Sequence, residues 1–280
     1  MMKIEVLDKG KKPLQWMRFS VDGVDTSFVN SLRRSIRSEV QVMAIDYADI
    51  KYNNSVLYDE MLSLRLGLIP ILADVSEFVS MDECGCSAKP VAERGCEKCS
   101  AKLSLSAEGP GMVYSKDLKP ASSPKIKAAL DSIPIVWLEE GHKVELEAIA
   151  VLGKGKTHVK WQGGIAAYQN YPLITLNADK CGDGKCEKCV DACPRGVFSR
   201  SGGKVQTKDA LLCNLCNACI NACPVKNGSA LKVEADQEKF IFYVESFGQM
   251  TPEELVVAAT KALEKKADEF KSSIDELELK

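Results

Sequence analysis

Histidine is nearly absent. His142 and His158 are the only two in 280 residues, which leaves little scope for imidazole general acid–base catalysis. Neither sits beside a nucleophile in a recognisable constellation. No window approaches ~20 continuous apolar residues, so a membrane-spanning helix is not expected. The opening MMKIEVLDKGKK lacks the apolar run of a signal peptide. No charge of one sign dominates: 37 Lys and Arg stand against 39 Asp and Glu, a net charge of −2. That excludes a protein whose main task is neutralising phosphates. Gly153 to Lys156 offers glycines and lysines but not the spacing of a Walker phosphate loop. No flavin, nicotinamide or catalytic-metal motif appears. The expectation is a soluble, cytoplasmic, thiol-reducing setting, and no nucleophile–base pair is recognisable.

Cysteine, by contrast, is abundant: twelve residues, eight of them between Cys181 and Cys223. One set is Cys181, Cys186, Cys189 and Cys193, followed by Pro194. The other is Cys213, Cys216, Cys219 and Cys223, followed by Pro224, and reads C-x2-C-x2-C-x3-C-P. This is the spacing that wraps cubane iron–sulfur clusters, where three thiolates come from one set and the fourth from the other. On that logic one [4Fe–4S] cluster takes Cys181, Cys186, Cys189 and Cys223, and the second takes Cys193, Cys213, Cys216 and Cys219. The first set departs from the pattern, since it opens C-x4-C. Zinc, which more often uses two separated CxxC pairs, and disulfides, which need an oxidising compartment, are the alternatives. The remaining four, Cys84, Cys86, Cys96 and Cys99, read C-x-C-x9-C-x2-C in Gly-, Lys- and Glu-rich sequence. They suit a small structural zinc knuckle; free thiols or a third cluster are the competing readings.

Along the chain, Lys3 to Asp8 and Gln15 to Val21 read as strands joined by a Lys/Pro/Gly turn. Asp25, Thr26 and Ser27 can cap a helix carrying Phe28, Val29, Leu32, Ile36 and Val40 on one face, with Arg33, Arg34 and Arg37 on others. Taken alone, that helix is most simply packed on its own core. Val42 to Lys51 alternates as a strand, and Asp59 to Leu66 suits a short helix. The segment Arg65 to Ile71 is apolar, with Pro70 confining it to a strand edge or loop. Strands are expected at Lys102 to Ser106, Met112 to Tyr114, Pro134 to Trp137, Lys143 to Leu152 and Tyr171 to Leu176. Further strands are expected at Ala230 to Ala235 and at Phe240 to Ser246. Thr251, Pro252 and Glu254 then form a capping box with proline at the first helical position. The helix they start carries Leu255, Ala259, Ala262, Leu263, Ala267, Phe270, Ile274 and Leu277 in one stripe. A stripe this long needs a surface, its own domain or a partner chain. The terminal strands and helices bracket everything else, so the middle blocks read as insertions into one platform.

These blocks together resemble the D-type component of archaeal RNA polymerase, the counterpart of the third-largest eukaryotic subunit and of the bacterial alpha subunit's amino-terminal domain. The resemblance rests on FVNSLRRSIRSEVQVMAID (Phe28 to Asp46), RLGLIPI, VYSKDL (Val113 to Leu118), HVKWQ (His158 to Gln162) and FYVESFGQMTPEELV (Phe242 to Val256). Their order and spacing are more specific than any one block. The family implies an α+β fold with an alpha-subunit-like dimerisation domain at residues 1–43 and 230–280. It also implies an inserted mainly-β domain with a cysteine loop at 44–165, and a ferredoxin-like 2×[4Fe–4S] insert at 166–229. It implies a heterodimer with the small subunit L, through the helices Phe28 to Val40 and Thr251 to Leu279. Phe28, Leu32, Ile36, Leu255, Ala259, Leu263 and Phe270 are the interface residues to expect. The inserted β domain would meet the second-largest subunit and the small zinc subunits N and P. Relatives can bind zinc in the cysteine loop, although the gap between the pairs is longer here than in the eukaryotic pattern.

Three roles for the clusters follow. They staple a segment too small and polar to fold alone, or they tune polymerase assembly in response to oxygen or redox state. Alternatively, the chain is a ferredoxin-like electron-transfer subunit of an oxidoreductase.

Overall fold

The computed structural model describes residues 2–10, 15–90, 94–121, 123–181, 186–202, 204–225 and 230–278. The turn expected between the first two strands, and the end of the last helix at Leu279, lie outside them. The chain is a mixture of α and β with several antiparallel sheets. In order it runs β1 (Lys3–Lys9), β2 (Trp16–Asp22), α1 (Thr26–Ser38), β3 (Gln41–Asn53), α2 (Asp59–Gly67) and β4 (Ile71–Leu72). Then come β5 (Ser100–Glu108), β6 (Gly111–Tyr114), β7 (Lys119–Pro120), β8 (Lys127–Ala128), β9 (Pro134–Leu138) and β10 (Lys143–Lys154). The last third holds β11 (Gly164–Leu176), α3 (Lys188–Asp191), β12 (Phe198–Ser201), β13 (Lys204–Thr207), α4 (Ala218–Ala222), β14 (Leu231–Ser246) and α5 (Pro252–Glu278). Two four-stranded sheets have the orders β1-β2-β14-β11 and β3-β10-β5-β7; β12-β13, β4-β8 and β6-β9 are two-stranded.

The chain forms two compact units. The first holds Met1–Leu7, Arg18–Val29 and Ala167–Phe242; the second holds Asp8–Met17, Asn30–Ala166 and Tyr243–Lys280.

In the second unit β10 is the central strand. Val144, Leu146, Ala148 and Ala150 are buried, and Glu145 and Glu147 alternate with them on the other face, the period-2 pattern of a sheet with one face on the core. Register against β5 sets Leu146 opposite Leu105 and Ala148 opposite Leu103; against β3 it sets Leu146 opposite Ile50. Leu62 and Leu66 of α2 pack into the same core, with Ile135 and Leu138 of β9. Each such side chain contributes roughly 1.5–3 kcal/mol by leaving water.

In the first unit Phe19 stacks on Phe242 at 5.2 Å between centroids, and Tyr168 meets Phe240 edge-on at 5.9 Å. Offset and edge-on pairs of this kind add to the area they bury. A second core in this unit joins Val197, Phe198, Val205, Ala230 and Leu231 to the buried Cys189, Cys213, Cys219 and Cys223.

Two elements differ from the sequence reading. The strand Leu231–Ser246 is continuous where two were expected. Its polar middle is held in place because the Asp236 carboxylate accepts the backbone N–H groups of Glu238 and Lys239, while Asn170 Nδ2 donates to the Asp236 carbonyl at 2.8 Å. The segment Arg65 to Ile71, read as a strand edge or loop, divides instead between helix, turn and strand. Its first three residues complete α2, Leu68 ends the helix in right-handed conformation, and only Ile71–Leu72 is strand.

Candidate metal centres and partner surface

The loop of Cys84, Cys86, Cys96 and Cys99 brings all four sulfurs within 4.8 Å of one another. Gly85, at φ 74°, turns the chain between the first two cysteines and leads into a tight turn at Cys86–Ala88. A residue with a Cβ would strain that left-handed backbone. The second pair sits on a turn in which Cys99 N–H donates to the Cys96 carbonyl at 3.0 Å, and Ser100, the next residue, begins β5. The Cys96 and Cys99 sulfurs are 3.6 Å apart. Four thiolates around zinc, each bonded at about 2.3 Å, stand about 3.8 Å from one another. The donor set and spacing therefore fit a tetrahedral thiolate site for a soft metal. Electrostatics divide the four. The backbone N–H of Lys98, then the neighbouring thiol of Cys99, lowers the exposed Cys96 to about 7, whereas burial pushes Cys99 well up.

In the other cysteine-rich segment, Cys181, Cys186, Cys189 and Cys223 line one pocket with Leu176, Pro224, Val225 and Leu231. Cys181 follows the end of β11, Cys189 lies in α3, and Cys223 follows α4. Burial raises Cys189 to about 11, and like charge on Cys181, Cys186 and Cys223 adds to it. Burial also raises Cys181, with Cys223 and Cys186 contributing. Buried thiols pushed this way are neutral at physiological pH, and a cation beside them would favour thiolate.

Cys193, Cys213 and Cys219 form the other group: burial raises Cys219, and Cys193 and Cys213 reinforce the shift. Val197 N–H donates to Cys193 Sγ at 3.5 Å and Leu215 N–H to Cys213 Sγ at 3.4 Å. Such N–H···S contacts are a lever on iron–sulfur sites. Cys216 is exposed. Leu215 and Asn217 on either side of it have φ of 59° and 60°, a backbone that costs roughly 1–2 kcal/mol for residues with a Cβ. Strain of this kind concentrates at ligand clamps and functional turns.

The interface residues expected from the sequence separate into two groups. Leu32, Ile36, Leu255 and Ala259 are buried by this chain itself. Ser35 Oγ donates to the Ala259 carbonyl at 2.9 Å, so small residues let α1 and α5 meet closely. Leu263 is half-buried, and Phe28 is exposed. Beyond Leu263 every side chain described on α5 is exposed; Phe270 is 69% and Leu277 71% accessible. The capping box at its start is present, with Glu254 N–H donating to Thr251 Oγ1 and Thr251 N–H to Glu254 Oε2.

The two histidines serve loops. His158 Nδ1 accepts from Lys160 N–H, and His142 Nδ1 from Glu139 N–H. Sequence reasoning missed three side chains that hold the loop before Cys213. Arg18 donates to the Leu211 carbonyl, Arg195 to that of Leu212, and Gln169 to that of Cys213. Arg18 lies 193 residues from its partner, a separation at which no local pattern could reveal the contact. No described helix is long and apolar enough to cross a membrane.

Cysteines gathered in loops with no catalytic constellation among the described residues, and a helix whose apolar stripe continues past its own core, point to a scaffold class. The chain belongs to the RNA polymerase Rpb3/Rpb11 dimerisation domain family, whose model matches residues 18–267. It is 39% identical to the DNA-directed RNA polymerase subunit Rpo3 of Methanosarcina acetivorans, over 99% of each chain. It is 34% identical to Rpo3 of Archaeoglobus fulgidus, over 99% of this chain and all of that one. It is also 35% identical to the RNA polymerase II subunit rpb3 of Dictyostelium discoideum, over 92% of this chain and 91% of that one.

Proposed function

We propose that the chain is the assembly platform of a cytoplasmic DNA-directed RNA polymerase, contributing no catalytic residue and pairing with the small subunit L. The observation that carries this is the family match over residues 18–267 together with the exposed far half of α5. Phe270, Ile274 and Leu277 recur at helical spacing on that half and are exposed among the described residues. A second helix-bearing chain would bury them. Leu32, Ile36, Leu255 and Ala259 fix the helix pair from within, and Phe28 and Phe270 are the contacts a partner would reach. Subunits N and P and the second-largest subunit would then dock on the β-rich insert at 44–165. The dimerisation domain is assigned to 1–43 and 230–280.

Two [4Fe–4S] clusters are assigned to the insert at 166–229. One is held by Cys181, Cys186, Cys189 and Cys223, which share one pocket. The other is held by Cys193, Cys213, Cys216 and Cys219, and a zinc ion by Cys84, Cys86, Cys96 and Cys99. When bound, each cluster cross-links distant parts of the segment through iron–thiolate bonds. The electron-carrier reading is not favoured by family membership.

The test is purification of a tagged copy from native cytosol without air, with co-purifying subunits identified by mass. A small alpha-like chain with the large polymerase subunits is the expected result. Flavoprotein or hydrogenase-type partners without polymerase would overturn the proposal.

A further inference from the structure

The second cysteine site is gripped from outside in a way that suggests what its filling does to the rest of its unit. Ala210–Leu212 forms a single tight turn just before Cys213, capped by Asp209, whose carboxylate accepts Leu211 N–H at 2.8 Å. The carbonyls at the end of such a turn have no partner within it. Three consecutive ones are taken by long side chains from three different places. Arg18 of β2 donates to Leu211 at 3.3 Å, Arg195 to Leu212 at 3.4 Å, and Gln169 of β11 to Cys213 at 3.2 Å. Arg195 lies two residues after Cys193, so it ties the turn to the other chain segment of the same site. Arg18 and Gln169 tie it to strands. Cys213 itself is buried, and its sulfur accepts Leu215 N–H. Any shift of Cys213 on gaining or losing a ligand therefore displaces the acceptor of Gln169 and its neighbours.

We propose that Arg18, Arg195 and Gln169 form a carbonyl clamp that couples filling of the second cysteine site to the order of strands β2 and β11. This inference rests on the cluster reading above. The first site is tied to strands by its own lining, since Leu176 at the end of β11 and Leu231 at the start of β14 share a pocket with Cys181 and Cys223.

Hydrogen exchange on the full chain tests this, using protein reconstituted anaerobically with ferrous iron and sulfide. Iron content, absorption and electron paramagnetic resonance report the clusters independently. In the Cys216→Ser/Cys219→Ser variant, which empties the second site, amides of β2 and the first half of β11 should exchange roughly tenfold faster or more than in the filled wild type. In an Arg18→Met/Gln169→Leu background, the same emptying should change those amides less than about threefold. With all cysteines intact, Arg18→Met/Gln169→Leu protein should also release iron faster from the second site than from the first. Equal exchange in β2 and β11 with the site filled and empty, in the otherwise unaltered chain, overturns the clamp without any substitution in it. Coupling undiminished in the Arg18→Met/Gln169→Leu background also overturns it. Should that background fail to fold, Gln169→Leu alone serves, with half the loss expected. Failure of the wild type to take up iron at either site is a different result: it removes the cluster reading itself.

Discussion

The two cysteine-rich regions solve one problem in opposite ways. The Cys84–Cys99 loop hangs on a unit that already has a large core, in which Leu103, Leu146 and Ile135 are fully buried and no cysteine takes part. In the segment from Cys181 to Cys223 the cysteines are core residues: Cys189, Cys213, Cys219 and Cys223 pack with Val197, Phe198 and Val205. Among its described residues regular structure is slight, with helices of four and five residues and a hairpin of two four-residue strands. Helices that short have no stability of their own. On the proposed reading, a filled thiol site on an independent core would trim a loop, whereas filled sites within the core would hold the fold itself.

The largest effect should follow from emptying both sites of the segment. Iron-free protein, or the Cys189→Ser/Cys219→Ser variant, should lose protection across residues 186–225 by 100-fold or more, since structural metal binding supplies on the order of 10 kcal/mol to small domains. Amides of β3 and β10 should be unaffected. Exchange mapped by mass spectrometry decides this, and equal loss in both regions would break the contrast.

Next in size is a change on the other side of the comparison. Leu103→Ala removes a fully buried side chain of the β-rich core and should cost about 2–5 kcal/mol in urea unfolding. Iron content should stay at the wild-type level. Removing the thiol of Cys99 should do less. Cys99→Ser should abolish binding of one zinc equivalent and raise exchange near residues 94–102. Because the loop is not part of the main core, the unit's unfolding free energy should fall by no more than about 2 kcal/mol. Zinc stoichiometry and urea titration of the same sample check both halves.

What could be read from sequence follows the same division. The alternation of Val144, Leu146, Ala148 and Ala150 gave away β10, and Thr251, Pro252 and Glu254 gave away the start of α5, because period and capping are local properties. Cysteine spacing grouped Cys84, Cys86, Cys96 and Cys99 for the same reason, and their sulfurs do gather within 4.8 Å. The single strand across Asp236 was hidden, since its polar middle is stabilised by Asn170, far away in the chain. The division of the α5 stripe was hidden too. Leu255 and Phe270 look alike in a helical pattern, and only tertiary packing makes one buried and the other 69% exposed. Arg18 and Gln169 gave no signal at all, being lone polar residues in strands.

The smallest effect sharpens the comparison through charge. Each unit has an acid paired with a lysine. In the β-rich unit Glu39 is bound by Lys266 at 2.5 Å with its side chain only 10% exposed. In the other unit Asp179 meets Lys204 at 2.7 Å with 81% of its side chain exposed. Burial works to raise the Glu39 pKa, but the hydrogen bond and charge of Lys266 outweigh it and hold the group below its usual 4.5. A carboxylate lowered on folding stabilises the native state at pH values above its unfolded pKa, and the contribution is lost as pH falls through the folded value. Glu39→Gln should therefore cost about 1 kcal/mol near neutral pH, and the gap to wild type should close as pH drops from about 5 to about 3. Asp179 is also held below its usual value by the hydrogen bond to Lys204, yet its exposure leaves the pair screened by solvent. Asp179→Asn should thus leave unfolding unchanged at every pH. Thermal unfolding of both variants from pH 7 to pH 3 measures this. A pH-dependent loss for Asp179→Asn would mean that the cysteine-rich unit draws on surface charge as well as on its thiols.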